Sequence, residues 1–215
     1  CQGRDVNALM TAGQLINWGM PALAADMLNA LDCQRTLPLY LQASLLPKAE
    51  RGELVAKAID AFPQFVRFPN TLEEVAALES IEECWFARHL LACFYYNKRS
   101  YGKAIALWQR CVEMSPEFAD GWRGLAIHAW NKQHDYELAA RYLDNAYQLA
   151  PQDARLLFER DLLDKLSGVT PEKRLARLED NLEIALKRDD MTAELLNLWH
   201  LTGQADKAAD ILATR

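Results

Sequence analysis

Between Trp85 and Pro151 the chain runs through nearly the same spacing of residues twice. The first copy carries Leu91, Ala92, Tyr95, Tyr101, Ala104, Trp108, Cys111 and Pro116. The second carries Trp122, Leu125, Ala126, Ala129, Tyr136, Ala139, Leu143, Ala146 and Pro151. The two prolines are 35 residues apart, and so are Ala104 and Ala139. A segment that recurs at this period is one helix–turn–helix unit, which cannot cover its own apolar face and must stack on a neighbour. The small residues Ala92, Ala104, Ala126 and Ala139 let paired helices approach, while Tyr95, Trp108 and Trp122 fill the space around them. Pro116 and Pro151 each follow one helix and are expected to open the next, where a missing N–H costs little.

This spacing resembles the tetratricopeptide repeat, a helical pair of about 34 residues with the pattern W-x2-L-G-x2-Y…A-x3-F…P. The chain departs from it in three ways. Arg88 stands where the first Trp is expected, Ala92 and Ala126 replace the Gly, and Asn131–Asp135 makes the second inter-helix turn one residue longer. The resemblance implies an all-α fold, a right-handed superhelix of antiparallel helix pairs, in a single domain over 1–215. Within it, degenerate repeats cover 5–62, an insertion 63–80, well-formed repeats 81–151, and degenerate repeats 152–215.

The weaker repeats are read from spacing. Residues 5–31 form a helix hairpin broken at Gly19 and Pro21, with Gly19 five residues before Ala24. Leu37–Leu46 and Glu53–Phe62 form a second pair around a turn from Pro47 to Gly52, with either Ala56 or Ala58 at the close contact. Prolines 63 and 69 exclude helix from the stretch between Phe62 and Asn70. Phe62, Phe65 and Phe68 are expected to plug a gap rather than face water. Thr71 with Glu74 is a capping box, and Ser80 with Glu83 reads as a second one that starts a helix near residue 81. The insertion separates Ala58 from Ala104 by 46 residues, about 12 more than one repeat. Beyond Pro151, Ala154–Leu166 is a helix ended by Ser167 and Gly168, and Thr170-Pro171 starts the next, with apolar residues from Leu175 to Leu186. A last pair turns at Gly203, again five residues before its alanine, Ala208.

Composition narrows the function classes. Of 215 residues 51% are apolar, with only 9 Gly and 8 Pro, as in a folded helical protein. A net charge of −6 with scattered Lys and Arg argues against nucleic acid and against a membrane-surface patch. No apolar run reaches the roughly 20 residues of a membrane span. Cys1, Cys33, Cys84, Cys93 and Cys111 form no CxxC pair and sit in helical patterns as small apolar fillers. That usage points to a reducing compartment and a cytoplasmic location. The chain lacks an initiator Met and reads as an excised or processed piece, so lipid anchoring through Cys1 is the alternative.

The resemblance also implies that the first helix of each pair lines a concave groove. Its groove positions fall on Phe86, His89, Leu90, Cys93, Tyr96 and Asn97 in the first good repeat. In the second they fall on Asp120, Arg123, Gly124, Ile127, Trp130 and Asn131, and in the third on Asp153, Leu156, Leu157, Arg160 and Asp164. Aromatic rings, one Arg per repeat and two Asn suit a peptide or partner domain. Tyr96 and Trp130 equally suit packing between helices. Family members that clamp acidic chaperone tails use Lys, Asn, Asn, Lys and Arg where this chain has His89, Cys93, Gly124, Asp153 and Leu157, which disfavours that ligand.

No metal, cofactor or catalytic group is expected. His89 and Cys93 share a helix face but lack further ligands. The pairs Glu73-Glu74, Glu82-Glu83 and Asp189-Asp190 read as helix-start charges rather than acid–base pairs. There is no Gly-rich phosphate loop, G-x-S-x-G or H-E-x-x-H. The first expectation is therefore a non-enzymatic scaffold for a protein or peptide partner. Phe65–Glu79 (FVRFPNTLEEVAALE) also resembles bacterial proteins of uncharacterised function in which helical repeats follow an N-terminal β-sandwich. That resemblance implies an accessory region of a multidomain carbohydrate-active protein, partnered by an N-terminal domain of the same polypeptide. Open terminal repeats would also allow a homo-oligomer.

Overall fold

The computed structural model describes residues 2–30, 35–61 and 68–213, with side chains from Asn7 onward. The described residues contain helices and turns and no strand, as the all-α expectation requires. They fall into two compact units, Cys1–Ser115 and Pro116–Arg215.

The first unit contains α1 (Gln2–Asn17), α2 (Pro21–Ala30), α3 (Thr36–Ser44), α4 (Gly52–Asp60), α5 (Leu72–Glu79), α6 (Trp85–Asn97) and α7 (Tyr101–Met114). Helices α1–α2, α3–α4 and α6–α7 are hairpins, and α5 packs mainly on α3 and α6. The alanines predicted at close contacts are buried: Ala24, Ala58, Ala92 and Ala104 have no accessible surface. Ala56 is exposed, so packing selects Ala58 where the spacing left the choice open. The α1–α2 turn closes at Gly19 with φ +74°, a left-handed conformation that glycine adopts without a Cβ clash.

The Thr71–Glu74 capping box is formed: Thr71 Oγ1 accepts from Glu74 N at 3.3 Å, and the Glu74 carboxylate accepts from Thr71 N at 3.2 Å. Ser80 is not a second one. It closes the C-terminus of α5, its hydroxyl donating back to Ala77 O at 2.8 Å. Helix α6 starts at Trp85 with Cys84 as its N-cap, the thiol sulfur accepting from Ala87 N at 3.5 Å. A thiol substituting for a hydroxyl is a cap the usual sequence signature omits. Phe62 and Phe65 lie outside the described residues. Phe68 is 48% exposed and does not plug a gap, contrary to expectation.

The second unit contains α8 (Ala119–His128), α9 (Tyr136–Leu149), α10 (Ala154–Leu166), α11 (Pro171–Asp180), α12 (Leu182–Ala185), α13 (Asp189–Leu201) and α14 (Ala205–Ala213). Its interior has two parts. Ala126, Ala129, Ala139, Leu143, Ala146, Leu156 and Leu163 close α8, α9 and α10 together. Leu157, Leu175, Leu178, Met191, Leu195, Leu198 and Trp199 close α10, α11 and α13. The lengthened second turn is absorbed by a π-helical stretch, Ala129–Gln133, ending at His134 with φ +55°. An extra residue in a helix that must still reach its partner is accommodated by widening one turn in this way.

Two local expectations are corrected. Pro116 and Pro151 do not open α8 and α10; they lie in the preceding turns, with the helices beginning at Ala119 and Ala154. The apolar run from Leu175 to Leu186 is two helices rather than one, broken at Asn181. There the Asn181 side chain donates to Arg177 O at 2.9 Å and accepts from the Tyr147 hydroxyl at 2.6 Å. A side-chain amide that competes for the backbone ends the helix where the apolar spacing alone would continue it.

Candidate partner-binding surface

In the first unit, α6 presents the predicted residues at graded depth. Phe86 has no accessible surface, its ring 6.5 Å from that of Tyr40 on α3 and stacked on His89 at 6.0 Å. His89 is 7% exposed and Leu90 is buried. These three positions, expected in the groove, offer a ligand almost nothing because α6 buries them against its neighbours. Cys93 is half-buried with its sulfur 3.6 Å from His89 Nε2. Tyr96 is half-buried against Tyr101 and Trp108, at 5.1 and 5.4 Å between centroids. Asn97 is exposed at the helix end. No cluster of three or more potential metal ligands is present among the described residues. Cys111 behaves as a packing group: burial pushes its thiol up to about 12.

In the second unit, Ile127, Trp130 and Asn131 form one end of α8 and its π turn. Ile127 and Trp130 are half-buried, and Asn131 is exposed. The Trp130 indole packs on the α8–α9–α10 interior and still keeps accessible surface. Packing and display, set against each other as readings of the sequence, are both met by this one ring. Gly124 is buried, as are Leu156 and Leu157.

The charged positions do something the spacing did not reveal. The Arg123 guanidinium donates to both oxygens of Glu159 on α10, at 2.8 and 2.5 Å. Asp120 accepts from Arg155 at 2.9 Å, and Asp153 both caps α10 through Arg155 N and accepts from the Arg155 side chain at 3.0 Å. Arg160 bridges Asp144 on α9, at 2.6 Å, and Asp164 on its own helix. Asp164 also accepts from Arg177 on α11. Arg174, 5% exposed in its side chain, holds Asp161 and Glu194 at 2.6 Å each, and Lys165 reaches Glu194 at 2.9 Å. Helix α10 is thus tied by ion pairs to α8, α9, α11 and α13. Arg123 and Arg160, expected to await a ligand, are already occupied by carboxylates of adjacent helices.

Only part of this ladder could have been read from sequence. Arg160 and Asp164 are one helical turn apart, a recognisable pair. Pairs such as Arg123–Glu159 and Arg174–Glu194 join helices whose relative rotation the spacing does not supply. Within the ladder, burial pushes the Glu194 carboxyl up, but hydrogen bonds from Arg174 and Lys165 outweigh it and hold the group below the ordinary glutamate value. Burial, with Lys132 nearby, likewise depresses His128.

Such helix pairs, with alanines at the contacts and partly displayed side chains on the first helix, define a class of helical repeat proteins. No family model matches the chain. Among solved structures it is similar to YrrB, described as a TPR protein with an unusual peptide-binding site, at 17% identity over 88% of this chain and 89% of that one, with a TM-score of 0.50. It is similar to the MamA protein at 15% identity over 83% and 88%, TM-score 0.52. It also matches a chain of the APC/C hetero-tetramer Cut9–Hcn1 at 16% identity, covering 87% of this chain and 34% of that one, TM-score 0.53. The fold is therefore tetratricopeptide-like. No helix among the described residues is long and apolar enough to cross a membrane.

Proposed function

We propose that the chain is a non-enzymatic scaffold for protein–protein interaction, and that a partner's peptide segment lies against the first helices of its repeats. Similarity of fold to YrrB, described as having a peptide-binding site, is consistent with this reading. The observation that carries it is Trp130, whose indole is anchored in the α8–α9–α10 interior yet half displayed, next to exposed Asn131 and half-buried Ile127. A rigid, partly accessible aromatic beside an amide is the usual chemistry of a peptide hot spot, since the ring supplies area at little entropic cost and the amide bonds the peptide backbone. Tyr96, Cys93 and Asn97 supply the corresponding surface in the first unit. Arg123 and Arg160 act in this reading as positioning residues that hold α10 against α8 and α9.

Panning a random peptide library on the full chain tests this. Enriched peptides should lose at least tenfold in affinity when Trp130→Ala and Asn131→Ala are combined, with the helical circular dichroism spectrum retained. Equal binding to the parent and to the folded double variant would remove this surface from consideration.

A further inference from the structure

The turn between α6 and α7 departs from its sister turns in one residue. Three hairpin turns close on a glycine in the left-handed conformation: Gly19 at φ +74°, Gly168 at +77° and Gly203 at +75°. The α6–α7 turn places Arg99 there, at φ +61°. Glycine adopts this conformation without steric cost, and after it His, Asn and Asp are the tolerated residues; a long cationic side chain is not among them. His134, in the other such turn, fits that preference. Arg99 does not, so it holds the left-handed conformation at a steric cost that glycine would not carry.

Its surroundings say what that side chain is suited for. Lys98 Nζ lies 5.6 Å from the Phe94 centroid, Phe94 meets Tyr95 edge-on at 5.4 Å, and Lys103 Nζ lies 4.9 Å over Tyr95. Two half-buried rings thus carry an ammonium each, and the exposed Arg99 follows Lys98 directly in the chain. The one carboxylate bonded to the strip, Glu79, accepts from the Tyr95 hydroxyl at 2.5 Å. Among the described residues no carboxylate forms an ion pair with Lys98, Arg99 or Lys103, whereas the cations of α8, α10 and α11 named above are paired. The negative end of α6 accounts for Lys98. It does not account for Lys103, in the first turn of α7, where a cation opposes the helix dipole and no acidic residue is present.

We infer that the α6–α7 turn is a docking surface for an acidic peptide segment of a partner protein, whose carboxylates meet Lys98, Arg99 and Lys103 while its apolar atoms lie on Phe94 and Tyr95. Lys98 and Lys103, held over separate rings, offer two spaced charge-assisted donors that carboxylates along a peptide can meet together. The surface shares no residue with the one proposed around Trp130 and stands independently of the peptide reading given there.

The test uses a fluorescein-labelled hexaglutamate peptide and anisotropy at low and physiological salt. The parent should bind it saturably, more weakly as salt rises. Lys98→Glu with Lys103→Glu should reduce affinity at least tenfold. Arg99→Gly is the discriminating variant: it should raise the melting temperature, because glycine suits the turn, and still weaken hexaglutamate at least threefold. Arg99→Gly with unchanged affinity would overturn the inference, as would absence of hexaglutamate binding to the parent. Tighter binding of a six-nucleotide thymidine oligomer or of phosphatidylserine vesicles than of hexaglutamate would overturn it in favour of phosphate recognition.

Discussion

Arg174 shows how much a single residue holds together here. It lies on α11, is nearly buried, and satisfies carboxylates on α10 and α13 at once. Charges removed from water are tolerable only while paired, so deleting one partner leaves the other buried and uncompensated. Arg174→Ala is expected to destabilise by about 3–5 kcal/mol in urea unfolding. Arg174→Met with Asp161→Leu and Glu194→Gln should recover most of that loss, since the pair's desolvation then disappears with the pair. Equal destabilisation by the single and triple variants would show that the carboxylates left uncompensated by the loss of Arg174 are not the source of the cost.

At the scale of the element, helix ends depart most from simple spacing. Cys84 caps α6 with a thiol, Asn181 breaks the α11–α12 run, and a π turn takes up the extra residue after α8. The π turn ends on His134 in a left-handed conformation, where any Cβ is strained. His134→Gly is therefore expected to stabilise by about 0.5–1 kcal/mol, read as a higher melting temperature. A lower melting temperature would show that the His134 side chain supports the turn through contacts worth more than the backbone strain.

For the molecule as a whole, acid should act in two steps whose signs follow from the depressed groups. His128 has a folded-state pKa below its ordinary 6.5, so the folded chain favours the neutral ring. The stability it contributes is complete above 6.5 and declines as pH falls below that value. Glu194 is held below its ordinary 4.5, and Asp190 and Glu179 are likewise depressed, chiefly by hydrogen bonds from Arg188 and Lys207 respectively. Their contribution is complete above about 4.5 and is lost as pH drops through the lower folded values. Urea midpoints measured from pH 8 to 3 should thus be level at first, dip slightly below 6.5 and fall more steeply below 4.5. Glu194→Gln should flatten the second step; an unchanged slope would remove Glu194 from the acid response.

The paired alanines, the boundaries of α10, the Thr71 cap and the all-α class were legible in the residues themselves. Each depends on local chemistry: helical periodicity, a side chain bonding its own turn, a small residue where two helices cross. Phe86 and Arg123 were expected to line the same groove as Trp130, yet one is buried against Tyr40 and one is clasped by Glu159. Only the rotation and spacing of neighbouring helices decide which side of a helix meets a partner within the chain. That is set by the sum of many weak contacts between segments distant in sequence, so the order of the helices follows from the residues in each, while the surface left over for others follows from how they pack.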